Sequence, residues 1–231
     1  MRFRDRKDAG LKLAALLTEY RGESPIVLGL PRGGVPVAYE VARELAAPLD
    51  VWVVRKVGAP GQPELGLGAV AEGGALFLDR GMIRSLGYSE TEVLQAAERQ
   101  AEDVVRRVQR FRGSHPPPEL RGRTVILVDD GIATGGTVRA ALRALKERQP
   151  AKVVLAVPVA AAESLESLRP EVDEIVCVYP ATFMMAVGEF YDDFSQTTDS
   201  EVQELLASAR EQRAATQGPE AAMEAGDIFW T

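Results

Sequence analysis

Asp129 and Asp130 stand side by side at the end of an aliphatic run, Val125-Ile-Leu-Val128, and Gly131-Ile-Ala-Thr-Gly-Gly-Thr137 follows them. An adjacent acid pair repels a bare phosphate, whereas vicinal sugar hydroxyls, which donate strong hydrogen bonds to carboxylates, suit it well. The next residues favour the opposite charge. Val138, Ala141, Leu142 and Leu145 recur at i, i+3, i+4 and i+7, which predicts an amphipathic helix with its N-terminus at Thr134 to Thr137. The amides of Ala133, Thr134, Gly135, Gly136 and Thr137, the two threonine hydroxyls and the positive end of the helix dipole then form a cradle for a phosphate. Gly135 and Gly136 permit close backbone approach. The competing reading is an ordinary strand-to-helix turn, and it leaves the acid pair without a purpose.

Other phosphate motifs fit less well. No lysine follows these glycines as it does in a P-loop, and Gly66-Leu-Gly-Ala-Val-Ala71 lacks the preceding strand and following helix of a dinucleotide fingerprint. Four aliphatics, two aspartates and Ala-Thr-Gly-Gly-Thr closely resemble the phosphoribosyl pyrophosphate (PRPP) motif of type I phosphoribosyltransferases. That resemblance implies that Asp129 and Asp130 hold the ribose 2- and 3-hydroxyls and that the loop to Thr137 holds the 5-phosphate. It also implies a Mg²⁺ cofactor, bound mainly through ligand oxygens near Asp129 and Asp130. The implied reaction joins a small nitrogen-containing acceptor, such as a nucleobase, to C1 of PRPP with release of pyrophosphate. A rival function is a binding or regulatory protein of the same fold that recognises PRPP or a nucleotide without turnover.

Around this centre the chain alternates strands and helices, which predicts an α/β fold with a doubly wound, mainly parallel sheet. Asp5 to Tyr20 reads as a helix with one apolar face and surface basic residues. Ile26 to Leu30 reads as a buried strand, and Pro31-Arg-Gly-Gly-Val-Pro36 leads from it into a second helix. Arg32, Gly33 and Gly34 resemble the family's pyrophosphate-binding loop, with a basic surface turn as the alternative. Val51 to Val54 is the next buried strand. Arg55 and Lys56 at its end are expected to neutralise the leaving group, because ligands of open α/β sheets gather at the carboxyl edge. Val54 to Gly61 shows a short resemblance to adenine phosphoribosyltransferase. Gly58 to Gly68, rich in Gly and Pro, suits either a lid that excludes water or an exposed loop.

Leu67 to Ala71 and Ala75 to Leu78 read as a β-hairpin. Ser89 and Glu92 suggest a capping box opening a long helix with a stripe of Val93, Ala97, Ala101, Val104, Val105, Val108 and Phe111. About 80–118 is therefore expected to be a helical insertion, packed beside the sheet or in a dimer interface, with solvated charges on its outer face. Val153 to Val157, Glu163 to Leu168 and Ile175 to Val178 continue the alternation. The resemblance implies a hood over the acceptor at about 179–198, where Phe183 is a candidate for stacking on a flat heterocycle or a core aromatic. Asp199 to Arg210 suggests a last helix; 1–211 is then one phosphoribosyltransferase-like domain and 212–231 a mobile tail. Ile228-Phe-Trp230 in that tail is apolar enough to dock on its own core or on another subunit.

The totals narrow the possibilities. A chain of 231 residues, 46% hydrophobic, can bury a large core, and its net charge of −7 argues against broad nucleic-acid binding. An acidic protein with a polyanionic ligand needs a divalent cation and a few local cations. Cys177 and His115, single examples of their kinds, preclude an internal disulfide and a zinc set of the usual composition. Cys177 reads as core and His115 as surface. The charged start, without an apolar signal segment, and the absence of a membrane-length apolar run point to a cytoplasmic protein with no membrane partner, expected as a homo-oligomer such as a dimer.

Overall fold

The computed structural model describes residues 1–217. Helix α1 (Arg6–Ala15) is followed by a 3₁₀ turn, Thr18–Gly22, so the first helix ends sooner than its periodicity suggests. Strand β1 (Ile26–Gly29) leads to α2 (Gly34–Leu45), then β2 (Leu49–Val51), β3 (Val54–Ala59), β4 (Gln62–Ala71) and β5 (Leu76–Leu78). Helices α3 (Arg80–Ser85) and α4 (Glu90–Arg112) precede β6 (Thr124–Val128) and α5 (Gly136–Lys146). The chain continues through β7 (Lys152–Ala161), α6 (Ala162–Leu168), β8 (Glu174–Ala181) and α7 (Asp199–Gln217).

β2, β1, β6, β7 and β8 pair in that order as a parallel five-stranded sheet. Alternation along β6 explains the double winding. Val125 and Leu127 pack with Val138, Leu142 and Leu145 of α5, whereas Ile126 and Val128 face a core containing Leu13, Val37, Val41 and Leu206 from α1, α2 and α7. Both faces are covered, as a parallel sheet requires, and the strands accordingly read as unbroken aliphatic runs.

The single strand expected over Val51 to Val54 is divided between two sheets. Trp52 lies at the break, its amide donating to Gly29 O at 3.0 Å and its indole N–H to Ala141 O at 3.1 Å. β3, β4 and β5 then form a separate antiparallel sheet between α4 and α5. The Gly58 to Gly68 stretch is therefore mostly ladder, turning at the exposed tip around Gly61. A Cβ on Gly58 would lie 2.6 Å from Pro63 Cα, so the two strands meet more closely there than side chains allow.

Helical structure occupies much of 80–112, broken where Gly87 takes a φ of +74°. Ser89 stands at the N-cap of α4 but makes no capping side-chain bond. Val93, Ala97, Val104 and Phe111 are buried as the stripe predicts; Val105 falls outside it and is 67% exposed. Arg112, missed by the periodicity, is buried with Asp50 and Glu72. Its Nε lies 2.8 Å from Asp50 Oδ2 and its NH2 2.9 Å from Glu72 Oε2. This triad ties the end of α4 to both sheets.

α7 extends to Gln217, so 212–217, expected in the tail, are helical. The apolar Ile228-Phe-Trp230 group lies outside the described residues. No helix among the described residues is long and apolar enough to cross a membrane.

Candidate functional site

The parallel strands end together, and their carboxyl edge assembles the predicted loops. β1 and β6 are neighbours, with Gly29 opposite Val128, so the segments that leave them must meet. Leu30 N donates to Val128 O at 2.9 Å, and Gly34 N to Leu30 O at 3.0 Å. The Pro31–Arg32 peptide is cis. A Cβ on Gly33 would lie only 2.0 Å from Asp130 Oδ2, and one on Gly34 would lie 2.7 Å from Val128 O. The two glycines are needed because their backbone lies directly against the acid pair.

Asp129 and Asp130 keep part of their surface at the mouth of the site but are otherwise enclosed by protein. Asp130 N donates to Asp129 Oδ1 at 2.9 Å. Burial pushes Asp129 well above the ordinary carboxylate range, the charge of Asp130 adds to the effect, and the Asp130 amide opposes it. Burial also raises Asp130, against the hydrogen bond and charge of Arg6.

Arg6 is the site residue that sequence reasoning placed on the surface. Its side chain is 12% exposed; Nε reaches Asp130 Oδ2 at 2.8 Å and NH1 reaches Ser195 O at 2.7 Å. The guanidinium also lies 4.0 Å from the centre of the Phe194 ring. No local signal distinguishes it from the neighbouring basic residues of α1, because its partners are remote in sequence. Tyr191 completes this junction by donating its hydroxyl to Asp130 O at 2.6 Å. Burial raises the Tyr191 pKa, so the phenol remains a donor.

Beyond the acids, Gly131 packs where a Cβ would meet Val187 Cγ1 at 2.4 Å. Ile132 bridges to β7, accepting from Ala161 N at 2.9 Å, and Ser164 donates to Ala133 O at 2.5 Å. These contacts hold the loop on the sheet edge. Gly135 caps α5 with φ +73° and is buried, while Thr134, Gly136 and Thr137 are exposed. Nothing lies within 4 Å of a Cβ built on Gly136, so the space over the start of α5 is open. A helix of this length presents its first amides to an anion in that space.

The predicted cations are present but engaged. Arg32 NH1 lies 3.5 Å from Asp199 Oδ1, and Arg110 NH1 lies 2.6 Å from Asp199 Oδ2. Arg55 Nε lies 2.6 Å from Asp103 Oδ2, an atom that also takes Arg107 Nε at 2.9 Å. More exposed Arg106 spans Asp103 and Glu102. The Arg110 hydrogen bond holds Asp199 below the usual carboxylate range. At Asp103 burial acts in the other direction but is outweighed by Arg55 and Arg107. The charged face of α4 is thus partly built into ion pairs rather than wholly solvated, and Arg55 and Lys56 lie within β3 of the antiparallel sheet rather than at the end of a parallel strand. The stem of Lys56 lies beside Gly66, whose Cβ would meet Lys56 Cδ at 3.1 Å.

Phe183 is 77% exposed and Met185 74%, so Phe183 is not a core aromatic. His115 is exposed, as expected. Cys177 is half-buried and burial pushes its thiol up to about 11, which suits packing rather than nucleophilic chemistry. Among the described residues, no group of three or more His, Cys, Asp or Glu side chains is placed to hold a metal. Two neighbouring carboxylates are too few for a protein cage, but they suit a hard cation that retains waters and takes phosphate oxygens.

A parallel α/β sheet carrying an acid pair, a small-residue loop and a helix N-terminus at its carboxyl edge defines the phosphoribosyltransferase fold class. The chain belongs to the phosphoribosyl transferase domain family, whose model matches residues 6–193. Two Mycobacterium tuberculosis proteins whose names class them with the phosphoribosyl transferases are 45% identical over 208 residues, covering 90% of this chain and 47% of theirs. The chain therefore spans about half the length of these relatives. The crystal structure of TT1426 from Thermus thermophilus is 46% identical and superposes with a TM-score of 0.83, covering 90% of this chain and 99% of that one. A shorter match, 38% identical over 58 residues, covers 25% of this chain and 28% of the uracil phosphoribosyltransferase of Aquifex aeolicus.

Proposed function

We propose that the protein transfers the 5-phosphoribosyl group of PRPP to a nitrogen acceptor and releases pyrophosphate. The observation that supports this reading best is the apposition of Gly33 and Gly34 to Asp129 and Asp130. It sets a loop suited to pyrophosphate beside carboxylates suited to ribose hydroxyls. The start of α5 follows the acid pair and is open at Gly136, which suits it to the 5-phosphate.

The C1–O bond to pyrophosphate breaks as the acceptor nitrogen forms its bond to C1, and positive charge develops on the sugar. Asp129 and Asp130 orient the ribose through its hydroxyls, and their negative charge also favours the cationic transition state. Arg32, with Arg55 and Lys56, neutralises the leaving group. The amides and hydroxyls of Ala133 to Thr137 anchor the phosphate. Asp129 and Asp130 are the residues that would stand beside a Mg²⁺ ion bound with the substrate, and the ion would supply charge neutralisation for the leaving pyrophosphate. The exposed ring of Phe183 offers a face for a flat acceptor, and the match to a uracil enzyme makes a nucleobase the first class to examine.

The test is to incubate the full chain with PRPP and Mg²⁺ and, separately, with purine, pyrimidine and amine acceptors while measuring pyrophosphate release. Acceptor-dependent release supports transfer. Tight PRPP binding with no release for any acceptor would instead favour the ligand-sensing alternative.

A further inference from the structure

The ion pairs at the pyrophosphate end have an arrangement that simple surface salt bridges lack. Asp199 is shared between Arg32 of the glycine loop and Arg110 of α4; Asp103 is shared between Arg55 of β3 and Arg107 of α4. Each carboxylate therefore joins an arginine expected at the pyrophosphate end to one or more arginines of α4. Arg32, Arg55, Arg107 and Arg110 face these two carboxylates, and Arg106, itself paired with Glu102, also reaches Asp103, so the group keeps an excess of two positive charges in an acidic protein. All but Arg110 of the four are about one-third exposed, so the network is sheltered yet reachable from solvent. Two carboxylates with their charges spread over four donors satisfy only part of the hydrogen-bonding capacity of those donors.

We infer that Arg107 and Arg110 of α4 belong to the pyrophosphate subsite, and that Asp103 and Asp199 are internal counter-ions which the diphosphate displaces. This inference rests on the phosphoribosyl transfer reading and extends its leaving-group site to a helix. The ligand class is a diphosphate, free or as part of PRPP. The charge of Arg107 also acts on Asp199, so the two pairs are neighbours, and guanidiniums match the oxygens of a diphosphate in a fork geometry. An anion that takes the place of Asp199 beside Arg32 meets Arg110 at once, because the same carboxylate now holds both. Asp103 stands in the same relation to Arg55 and Arg107.

Competition gives the inference a distinctive sign. Removing an ordinary structural acid weakens the neighbouring site, whereas removing a competing counter-ion strengthens it. Titration calorimetry of the full chain with inorganic pyrophosphate, with and without Mg²⁺, tests this, with ribose 5-phosphate as the control ligand. Arg107→Ala/Arg110→Ala is expected to weaken pyrophosphate binding by about tenfold or more and to leave ribose 5-phosphate binding within about twofold. Arg107→Lys/Arg110→Lys should recover part of the affinity because charge remains. Asp103→Asn and Asp199→Asn should each tighten pyrophosphate binding severalfold.

Unchanged pyrophosphate affinity in the double alanine variant, or weaker binding in both asparagine variants, would overturn the inference. If wild type binds ribose 5-phosphate normally in that case, the transfer reading survives. Failure of wild type to bind either ligand would overturn both.

Discussion

Arg6 Nε donates to Asp130 Oδ2 at 2.8 Å, joining the first helix to a carboxylate 124 residues later in the chain. NH1 of the same guanidinium reaches Ser195 O, so three distant segments converge on one side chain. The contact matters because Asp130 is a buried acid beside another buried acid. Without a cation its charged form would be more costly still.

Arg6→Ala should lower kcat/KM for PRPP turnover by about ten- to a hundredfold, the loss corresponding to about 1.5–3 kcal/mol for a charge-assisted hydrogen bond. Ionised Asp130 accepts more strongly from a ribose hydroxyl and supplies the negative charge that favours the cationic transition state. Removing the guanidinium raises its pKa further, so the acidic limb of the pH–rate profile should move to higher pH. Arg6→Lys should return the limb part of the way. An unmoved limb in Arg6→Ala would assign Arg6 to structure alone.

The acid pair should also cost the ligand-free protein stability at neutral pH. Its folded pKa values are raised above unfolded ones, so the folded state binds protons more tightly. The pair's contribution to stability is accordingly greatest when protonated at low pH and is lost as pH rises through the raised values. Asp129→Asn should increase Tm at pH 7.5 by a few degrees, about 1 kcal/mol at this chain length, while abolishing turnover. Its advantage over wild type should shrink at pH 5. Asp130→Asn should gain less, because it leaves Arg6 without its carboxylate. Melting curves for both variants at the two pH values provide the comparison.

Three glycines should respond differently to alanine. Gly33→Ala places a Cβ 2.0 Å from Asp130 Oδ2 and should disturb the acid pair even without ligand. Gly135→Ala forces a side chain onto φ +73° and should lower stability by about 1 kcal/mol through backbone strain. Gly136→Ala meets no neighbour within 4 Å and should fold normally while weakening ribose 5-phosphate binding. Calorimetry and melting on the three variants separate these effects. Normal ligand affinity in Gly136→Ala would argue that phosphate does not approach the helix at that point.

Arg112→Met should be strongly destabilising, by about 3–5 kcal/mol, since it leaves the Asp50 and Glu72 carboxylates buried without their cation. Burial already raises both acids against the pull of Arg112. Denaturant unfolding measures the loss. The triple replacement of Arg112, Asp50 and Glu72 by apolar residues of matching volume should recover most of it. If the single variant is as stable as wild type, the triad does not support the fold as its burial suggests.

Local order in the sequence was enough for the family, the parallel α/β sheet and the principal loops. Val125 to Val128, Asp129-Asp130 and the glycine loop are contiguous, and hydrophobic periodicity marks the helix that follows. Contacts among remote segments required the tertiary structure. It carried Arg6 from an ordinary amphipathic helix to Asp130, set Gly33 against that carboxylate, and tied Arg32 and Arg55 to acids of α7 and α4. It also turned Gly58 to Gly68 from a presumed loop into strands and split Val51 to Val54 between two sheets. Periodicity records which side of an element is apolar, but a charged side chain in an amphipathic helix looks the same whether it meets water or a buried partner. That choice depends on which segments the sheet order brings together.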